Sequence, residues 1–589
     1  MKQRIAITGS GIICAIGTDK KTVSDALVAR KSGIQGMKYL PSCHKDLLVG
    51  EVKQSDEELK MSLGIRADKI VSRTVLLGAY AVRQALDDAG LKLPYLKTRR
   101  VCFISGTTVG GMDVTERFYY SILADDTYLD YLDAFDCGKS SVDIAEHAGL
   151  DADTCTVSTA CSSALNAIIL GTRMLLAGEA DLIVAGGAES LSLFHLNGFK
   201  SLMILSSEPC RPFDTSRSGL NLGEGAAYVV LERFEDAVAR HAEVSAFIAG
   251  YGNRCDAFHQ TATSENGEGA YLAMQDALCM AGIDYTQVDY INAHGTGTLN
   301  NDQSESVALK RLFGGNIPPV SSTKSFTGHT TSASGAIETV ISLIAMRNHY
   351  IPVNLGWQTA DTNCIVPFMG NGQCRLQYVL CNSFGFGGND TSLLLSQQES
   401  ELPLSDSKVE AEILSGYELK NLDELKLLKQ FIPPIEQRRM DLLTKAAMYT
   451  SLKVLSEAGI HSPDAIIVAT SHGMLTNSEK ILQSIDTLGE DSVSPTLFMQ
   501  STHNTLAGIL AVRLKCHGYN MTYVQGEDSL RWAIADARML ITEGKAKVVL
   551  VGCHDECTGQ YASFLKRAGK KELPCISSKS LVIVKKDNK

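Results

Sequence analysis

Residues 158–164 read Ser158-Thr159-Ala160-Cys161-Ser162-Ser163-Ala164 and join a strand-like segment to a long apolar helix pattern. Cys161 therefore lies at a predicted strand-to-helix turn. The positive end of the helix dipole favours an ionised thiol at such a position, and the thiolate is the nucleophilic form of cysteine. Taken alone, a cysteine is more often a small buried hydrophobic residue, so a catalytic role depends on what else the chain carries.

Composition limits the classes of partner that the chain can have. The chain has 589 residues, a formal net charge of −11 and 21% charged residues. This length predicts several domains, and the acidic balance argues against nucleic-acid binding. The sixteen cysteines form no CxxC pair, which favours reduced thiols and a cytoplasmic location. Residues 165–176 come closest to a membrane span but fall short of about 18 apolar residues, so no span is predicted.

Strand-like and helix-like segments alternate along the first 250 residues. The predicted helices are 70–90 and 162–177, and the predicted strands are 4–8, 101–105, 181–185 and 226–232. Several of these strands run into glycines, which is typical of a strand that ends in a turn. The alternation predicts layers of helices packed on sheets, the α/β class.

A boundary follows near residue 397. Residues 397–403 are polar, a charged stretch rich in Leu, Lys and Glu comes next, and Pro433-Pro434 follows it. Proline and clustered polar residues punctuate regular structure. We interpret residues 398–430 as a connector between two units.

The last part of the chain repeats an earlier part. Residues 439–459 resemble 66–90, and residues 540–552 resemble 174–186, in the same order and with matching spacing. The offset, 544 minus 178, is 366 positions, and it places Glu527 opposite Cys161. Residues 431–589 are therefore predicted to copy the first half of the first unit without its nucleophile. Chance similarity between amphipathic segments is the alternative.

Three further motifs accompany Cys161 in the first unit. They are Asn292-Ala293-His294-Gly295-Thr296-Gly297-Thr298, then Lys324-Ser325-Phe326-Thr327-Gly328-His329, then Asn382-Ser383-Phe384-Gly385-Phe386-Gly387-Gly388-Asn389. Any one of them is weak evidence. Together, and in this order, they resemble the β-ketoacyl-[acyl carrier protein] synthases of the elongating type, which use a Cys-His-His triad. The resemblance covers about residues 3–397.

This resemblance implies a fold and a domain organisation. The expected fold is the thiolase-like α-β-α-β-α layered sandwich with an additional C-terminal half-thiolase-like unit. The expected parts are a ketosynthase N-terminal half with the nucleophile (1–250), a C-terminal half with the histidine motifs (251–397), the connector (398–430) and a truncated, non-catalytic ketosynthase-like domain (431–589). Members of the family usually dimerise, so a homodimer is expected.

The implied reaction is a decarboxylative Claisen condensation catalysed by an acyltransferase. Cys161 would hold an acyl group as a thioester, which is a good electrophile. A malonyl group on an acyl carrier protein would lose CO2 and attack it, giving a 3-oxoacyl-carrier product in fatty-acid, polyketide or aryl-polyene-type synthesis. By resemblance, His294 and His329 stabilise the enolate, and the backbone N–H groups of Cys161 and Phe384 form the oxyanion hole.

Other residues take supporting roles in the same resemblance. Lys324 is expected to position His329, with Glu338 as the partner of the lysine and Asp302 as a further supporting residue. The phosphopantetheine arm comes from the acyl carrier protein, so no covalently bound cofactor is expected. The residues expected to contact this arm or the acyl chain are Thr296, Thr298, Phe384 and Phe386.

The chain also departs from the family pattern after His329. Thr330, Thr331 and Ser332 replace small apolar residues and glycine, and Ser334 stands where alanine is common. These changes indicate a different polarity in the acyl pocket or the histidine loop.

Several alternatives stay open at this point. Arg66, Lys69 and Arg73 are a candidate docking patch for the carrier, and a solvated helix face is the equal alternative. Cys553-His554-Asp555-Glu556-Cys557 contains metal-ligating residue types, but it aligns with a strand-end turn, so no metal is predicted. The whole chain could also be a chain-length or scaffold subunit with an idle triad, or a thiolase-like CoA acyltransferase.

Overall fold

The computed structural model describes residues 2–370, 373–404 and 409–586, so residues 405–408 of the predicted connector lie outside the described residues. The strands are β1 (Lys2–Gln3), β2 (Ile5–Cys14), β3 (Gln35–Gly36), β4 (Leu48–Val49), β5 (Val101–Gly106), β6 (Asp153–Val157), β7 (Leu182–Glu189), β8 (Gly225–Arg233), β9 (Ala246–Cys255), β10 (Tyr290–Asn292), β11 (Val320–Ser321), β12 (Tyr378–Gly385), β13 (Asn389–Ser396), β14 (Leu402–Pro403), β15 (Ala411–Glu418), β16 (Ala465–Ala469), β17 (Tyr519–Tyr523), β18 (Val548–Glu556) and β19 (Ile576–Lys585). The α-helices are α1 (Lys20–Val28), α2 (Asp56–Leu63), α3 (Arg73–Asp88), α4 (Leu93–Leu96), α5 (Met112–Ala124), α6 (Cys137–Ala148), α7 (Ser163–Ala177), α8 (Leu193–Ser201), α9 (Phe234–Ala239), α10 (Glu268–Ala281), α11 (Leu299–Phe313), α12 (Lys324–Thr327), α13 (Ser334–Asn348), α14 (Pro434–Gln437), α15 (Leu442–Glu457), α16 (Leu475–Leu488), α17 (Pro495–Met499), α18 (Thr505–Leu514), α19 (Ser529–Thr542) and α20 (Gly559–Arg567).

Most of the strands are hydrogen-bonded side by side in three groups of five. Their order is β11-β10-β12-β13-β9, then β2-β8-β7-β5-β6, then β17-β16-β18-β19-β15. Only short pairings join the groups: two residue pairs between β2 and β9, and one between β6 and β17. The first two groups build the first unit, and the third group builds the second unit.

Helices separate and cover the sheets of the first unit. On the outer faces, α3 packs on β2 and β8, and α10 packs on β9 and β13. Between the sheets, α7 and α13 pack on each other, α7 also contacts β5 and β7, and α13 contacts β8 and β12. This is the predicted α-β-α-β-α sandwich.

The central helix explains the apolar stretch that the sequence shows after Cys161. Every residue from Ser163 to Leu176 is buried, as expected for a helix that is apolar on all sides and covered on all sides. The segment Ala160–Ala177 has the length and hydropathy of a membrane-crossing helix, but 94% of it is buried inside the protein. It is a core helix of the sandwich.

The second unit repeats the N-terminal half of the first unit strand for strand. Across the sheet, β17 corresponds to β6, β16 to β5, β18 to β7, β19 to β8 and β15 to β2. Helix α15 packs on β19 as α3 packs on β8. Because β15 pairs along its length with β19, residues 411–418 of the predicted connector belong to this sheet. The boundary predicted at 250/251 also falls inside a strand, since β9 begins at Ala246.

The nucleophile turn is repeated in detail. A 3₁₀ turn precedes α7 at Ala160–Ser162, and another precedes α19 at Gly526–Asp528. Ala160 and Gly526 both have a φ of 53°, in the left-handed region. The second unit thus keeps the backbone of the turn, and Glu527 stands where the first unit has its thiol.

A local twofold axis relates the two units where they meet. The N–H of Ser158 donates to the carbonyl of Thr522, and the N–H of Val524 donates to the carbonyl of Thr156, both at 3.0 Å. These are equivalent bonds, because 524 minus 158 and 522 minus 156 are both 366. The second unit therefore packs on the first as a symmetry-related partner of its N-terminal half.

Candidate active site

The three predicted catalytic side chains converge in the first unit. The Nε2 atom of His329 lies 3.1 Å from the sulfur of Cys161. The ring centroids of His294 and His329 are 5.4 Å apart. All three side chains are buried.

Each of these residues lies at the end of a regular element. Cys161 occupies the 3₁₀ turn between β6 and α7, His294 follows β10, and His329 follows the short helix α12. The N–H of His329 donates to the carbonyl of Asn221 at 2.7 Å, which fixes the histidine loop. Residues on strand ends and packed turns are held more rigidly than residues on free loops.

Lys324 contacts His294 and not His329, so its predicted role was wrong. Its Nζ lies 3.3 Å from Nδ1 of His294 and 2.5 Å from a carboxylate oxygen of Glu338, the predicted partner. Lys324 is the first residue of α12, and His329 follows the last residue of this helix by two positions. Because lysine can only donate, Nδ1 of His294 accepts, and the ring carries its hydrogen on Nε2.

Burial decides the protonation states of the site. It raises the pKa of the Cys161 thiol to about 11, against the lowering effect of Lys324 and of the N–H groups of Phe386 and Cys161. Burial, and then the charge of Lys324, hold the pKa values of His294 and His329 well below the usual range. At neutral pH the site therefore holds a thiol and two neutral imidazoles. The thiolate predicted from the helix dipole was wrong, because desolvation outweighs the dipole.

The oxyanion-hole donor predicted at Phe384 was also misplaced. The N–H groups that reach the Cys161 sulfur are those of Phe386 and of Cys161 itself. Phe384 lies inside β12, opposite Asp390, and its ring packs against His294 with centroids 5.8 Å apart. In the second unit, Asn504 donates from Nδ2 to the carbonyl of Phe386 at 2.7 Å. The second unit thus helps to hold the loop that carries this donor, a role that the sequence did not indicate.

A narrow cavity leads from Cys161 to the second unit. In the first unit its lining includes Phe194, Phe199 and Phe386. The second unit contributes one wall, made of His472, Ser478, Phe498, Ser501, Thr502 and His503. The Phe498 ring packs on the ring of Phe199, with centroids 5.3 Å apart. The lining is mainly apolar, as the binding of an acyl chain requires.

A second, wider cavity reaches Cys161, His294 and His329 from another side. Thr296 and Thr298 lie in its lining, with their hydroxyl groups 2.9 Å apart. Phe384 and Phe386 line it as well, so every residue predicted to contact the phosphopantetheine arm or acyl chain lies in this cavity.

Two buried carboxylates fix the loop between His294 and the start of α11. Asp302, predicted as a supporting residue, accepts from the N–H of Phe213 at 2.8 Å and of Gly297 at 3.2 Å. Glu305 accepts from the N–H groups of His294 and Gly295 at 2.9 and 2.8 Å, and burial raises its pKa to about 7. Sequence reasoning missed Glu305; its signal is an acidic residue one helical turn after Asp302.

Two other predicted groups are not assembled into sites. Arg73 is buried and bound to Glu224 at 2.7 Å, so it cannot belong to an exposed docking patch. In β18, His554 bonds Ser578 while Asp555 bonds Thr470. Neighbouring strand residues point to opposite faces, so the possible metal ligands of this segment do not converge.

Comparison with known proteins places these features in a family. Residues 2–237 match the model "Beta-ketoacyl synthase, N-terminal domain", residues 245–358 match "Beta-ketoacyl synthase, C-terminal domain", and residues 418–587 match a second N-terminal domain model. The 3-oxoacyl-[acyl-carrier-protein] synthase 2 of Coxiella burnetii is 34% identical over 414 residues, covering 67% of this chain and 99% of that protein.

Two solved structures extend the comparison. "The ishigamide ketosynthase/chain length factor" has 30% identity and a TM-score of 0.63, over 68% of this chain and 100% of that chain. "PfaC Keto synthase-Chain length factor" shares the fold at 17% identity and a TM-score of 0.79, over 99% of this chain and 78% of that chain. The chain therefore belongs to the β-ketoacyl synthase family.

Proposed function

We propose that this chain is a condensing acyltransferase that joins an acyl group on Cys161 to a malonyl group on an acyl carrier protein, with loss of CO2. The observation that carries the proposal is the 3.1 Å contact between the Cys161 sulfur and Nε2 of His329, beside a second histidine held by Lys324. The relative from Coxiella burnetii is named for this class of reaction. A cytoplasmic location stays a prediction, supported by the sixteen unpaired thiols.

The first step transfers the acyl group to the enzyme. Cys161 gives its proton to Nε2 of His329 and attacks the carbonyl carbon of the incoming thioester. The N–H groups of Phe386 and Cys161 stabilise the oxyanion that forms. The bond to the pantetheine sulfur then breaks, and this sulfur takes the proton from His329 and leaves as a thiol.

The second step forms the carbon–carbon bond. Neutral His294 and His329 donate hydrogen bonds from Nε2 to the thioester oxygen of the malonyl group, where negative charge develops. The bond to the carboxylate breaks, CO2 leaves, and the enolate carbon attacks the acyl carbon on Cys161. The sulfur of Cys161 leaves as a thiolate, next to the N–H groups that stabilised the oxyanion.

We propose that the second unit acts in this chain as the chain length factor acts in the ishigamide protein. Three observations support this role: Phe498 walls the narrow cavity, Asn504 holds the Phe386 loop, and Glu527 replaces the nucleophile. The expected homodimer would need a surface other than β6, because β17 of the same chain already pairs with that strand. We therefore expect one chain to form the complete catalytic pair.

We further propose that the acyl carrier protein docks at the mouth of the wider cavity. Met203 and Leu299 line this cavity and remain 89% and 64% exposed. Such exposed apolar side chains at a polar rim are typical of an interaction surface. Lys200, a neighbouring cation, is already paired with Asp491 at 2.6 Å, so apolar contact is the main attraction that this rim offers.

Product formation by the full chain tests the proposed reaction. The purified protein is supplied with an acyl-carrier and a malonyl-carrier, and the 3-oxoacyl-carrier product is measured by mass spectrometry. Wild type and Glu527→Ala are expected to form product at the same rate, since Glu527 is exposed and outside both cavities. Cys161→Ala is expected to form none. A wild type that is as inactive as Cys161→Ala would instead indicate an idle chain-length subunit.

A further inference from the structure

The two catalytic histidines have chemically different partners at Nδ1. For His294 the partner is the ammonium group of Lys324, at 3.3 Å. For His329 it is the hydroxyl of Ser334, at 3.0 Å, and this hydroxyl lies 3.1 Å from the hydroxyl of Thr330. Ser334 and Thr330 are both buried, so each hydroxyl has the other as a hydrogen-bond partner inside the protein.

This difference decides which tautomers each ring can adopt. An ammonium group only donates, so His294 is restricted to the form with its hydrogen on Nε2. A hydroxyl both donates and accepts. Ser334 can therefore donate to Nδ1 of His329 while it accepts from Thr330, or accept from Nδ1–H while it donates to Thr330. Both neutral tautomers of His329 keep their buried hydrogen bonds satisfied.

We propose that Ser334 is a positioning residue that lets His329 exchange its hydrogen between Nδ1 and Nε2, so that one imidazole is a base in acyl transfer and a donor in condensation. This inference rests on the proposed function, because each role belongs to one of its two steps.

The proton balance of the two steps requires such an exchange. In transfer, Nε2 must offer a lone pair: it takes the proton of Cys161 and passes it to the leaving pantetheine sulfur, so the ring ends neutral with its hydrogen on Nδ1. In condensation, Nε2 must carry the hydrogen and donate it to the thioester oxygen. Between the steps, Nδ1 loses its hydrogen and Nε2 gains one by exchange with water, and Ser334 turns from acceptor to donor.

The surroundings of His329 agree with this role. The titratable and charged groups that act on it or on Cys161 are Lys324, Glu338, His195 and the neighbouring His294. Burial and Lys324 keep the ring neutral. Burial keeps the cysteine protonated, against the lowering effect of Lys324 on its pKa. A neutral ring has a single N–H, so the nitrogen that carries this hydrogen determines whether Nε2 acts as a base or as a donor.

Substitution at Ser334 tests the inference in the full chain. The two rates to measure are acylation of Cys161 by an acyl-carrier, and CO2 release from a malonyl-carrier by the acylated enzyme. We expect Ser334→Ala to slow both rates at saturating carrier by roughly tenfold or more, with unchanged KM, since each tautomer loses its partner. Ser334→Thr, which keeps a hydroxyl, is expected to restore them. Thr339→Val, a hydroxyl removal elsewhere in α13, is the matched control.

If Ser334→Ala had wild-type rates, the inference would be overturned. It would also be overturned if Ser334→Thr lost as much rate as Ser334→Ala, because this would mean that packing at position 334, and not the hydroxyl, determines the rates. A second readout needs no turnover: nitrogen-15 NMR of the His329 ring in the free protein and after alkylation of Cys161. In the free protein, where Cys161 is a thiol, we expect His329 to carry its hydrogen on Nδ1. After alkylation has removed the thiol proton, we expect the hydrogen mainly on Nε2. A single tautomer in both forms would refute the role of Ser334. An inactive wild type would instead refute the proposed function.

Discussion

Val157 of β6 pairs with Tyr523 of β17, and the two residues hold the same position in the two copies of the repeat, since 523 minus 157 is 366. The strand of the first unit that faces the local twofold axis therefore meets its own counterpart within one chain. This relationship explains why one wall of the narrow cavity and one support of the Phe386 loop come from residues beyond 430. It also makes the contact between the units a specific target for tests.

A buried ion group should hold the two units together. Arg173 of α7 is fully buried and pairs with Asp536 of α19 and with Glu543, the residue that follows this helix. In the repeat, Arg173 corresponds to Met539 of the second unit, and Asp536 corresponds to Leu170 of the first unit. If the partner at this contact were a second copy of the first unit, it would therefore offer Arg173 no carboxylate. We expect Arg173→Met to lower the free energy of unfolding by about 3–5 kcal/mol, because it leaves the buried carboxylate of Asp536 without a cation.

The control for this experiment is another ion pair between the units. Arg531 and Asp153 are 3.1 Å apart, but their side chains are 51% and 53% exposed. Arg531→Met should cost less than about 1 kcal/mol, since solvent screens exposed pairs. Chemical denaturation of the full chain measures both. If both substitutions lowered the free energy of unfolding equally, the buried ion group would not be what holds the two units together.

The wall that the second unit provides should control the length of the product. Phe498 is buried and packs on Phe194 and Phe199 at the narrow cavity. Phe498→Leu shortens this side chain, so we expect products longer by about one two-carbon unit, in line with the space that a core truncation leaves. Mass spectrometry of products made with excess malonyl-carrier measures the shift. Leu488→Ala, an exposed change in the same unit, should leave the lengths unchanged. Identical distributions in all three proteins would rule out a length-setting wall.

Alkylation of Cys161 should depend steeply on pH. Only the thiolate reacts, and burial raises the pKa of this thiol to about 11. Below its pKa the thiolate fraction rises about tenfold per pH unit, so the rate with iodoacetamide should keep rising from pH 7 to pH 10. A short cysteine peptide, with a pKa of about 8.5, should level off earlier. Peptide mapping follows Cys161 among the other cysteines, and a plateau below pH 8 would show that the resting residue is a thiolate.

Carrier docking should depend on apolar contact at the cavity mouth. Met203→Ser with Leu299→Ser is expected to raise the KM for the acyl-carrier by about a hundredfold or more, since each of the two apolar side chains contributes about 1.5–3 kcal/mol when buried and about 1.4 kcal/mol is tenfold. The value of kcat should not change, and small thioester substrates that lack the protein should react as before. Met61→Ser, another exposed methionine away from both cavities, is the control. A carrier KM that rises steeply with salt in wild type would favour charge pairing instead.

The sequence predicted the chemistry of the site better than its contacts. Cys161, His294 and His329 each stand in a short local motif, so their identities were readable without the structure. The partner of Lys324 and the choice between the N–H groups of Phe384 and Phe386 depend on how two loops pack against each other. Spacing along the chain carries no information on that packing.

The same contrast appears in the fold. The repeat was visible where buried helices and strands keep their apolar pattern, as in residues 540–552. Strand β15 escaped notice because its residues are exposed or half-exposed, and only its pairing with β19 defines it. Arg73 looked like a surface cation, but Glu224, far away in sequence, binds it in the interior. The pairing of edge strands and the formation of buried ion pairs depend on tertiary structure, which local sequence does not specify.

The most direct test of the central claim is intact-protein mass spectrometry after incubation with an acyl-carrier. The account predicts one acyl adduct on wild type, mapped to Cys161 and absent from Cys161→Ala, because this sulfur alone combines the His329 contact with the two oxyanion donors. Addition of malonyl-carrier should then remove the adduct as a 3-oxoacyl product with release of CO2. An adduct on another residue, or an acyl-Cys161 that survives malonyl-carrier, would contradict the claim.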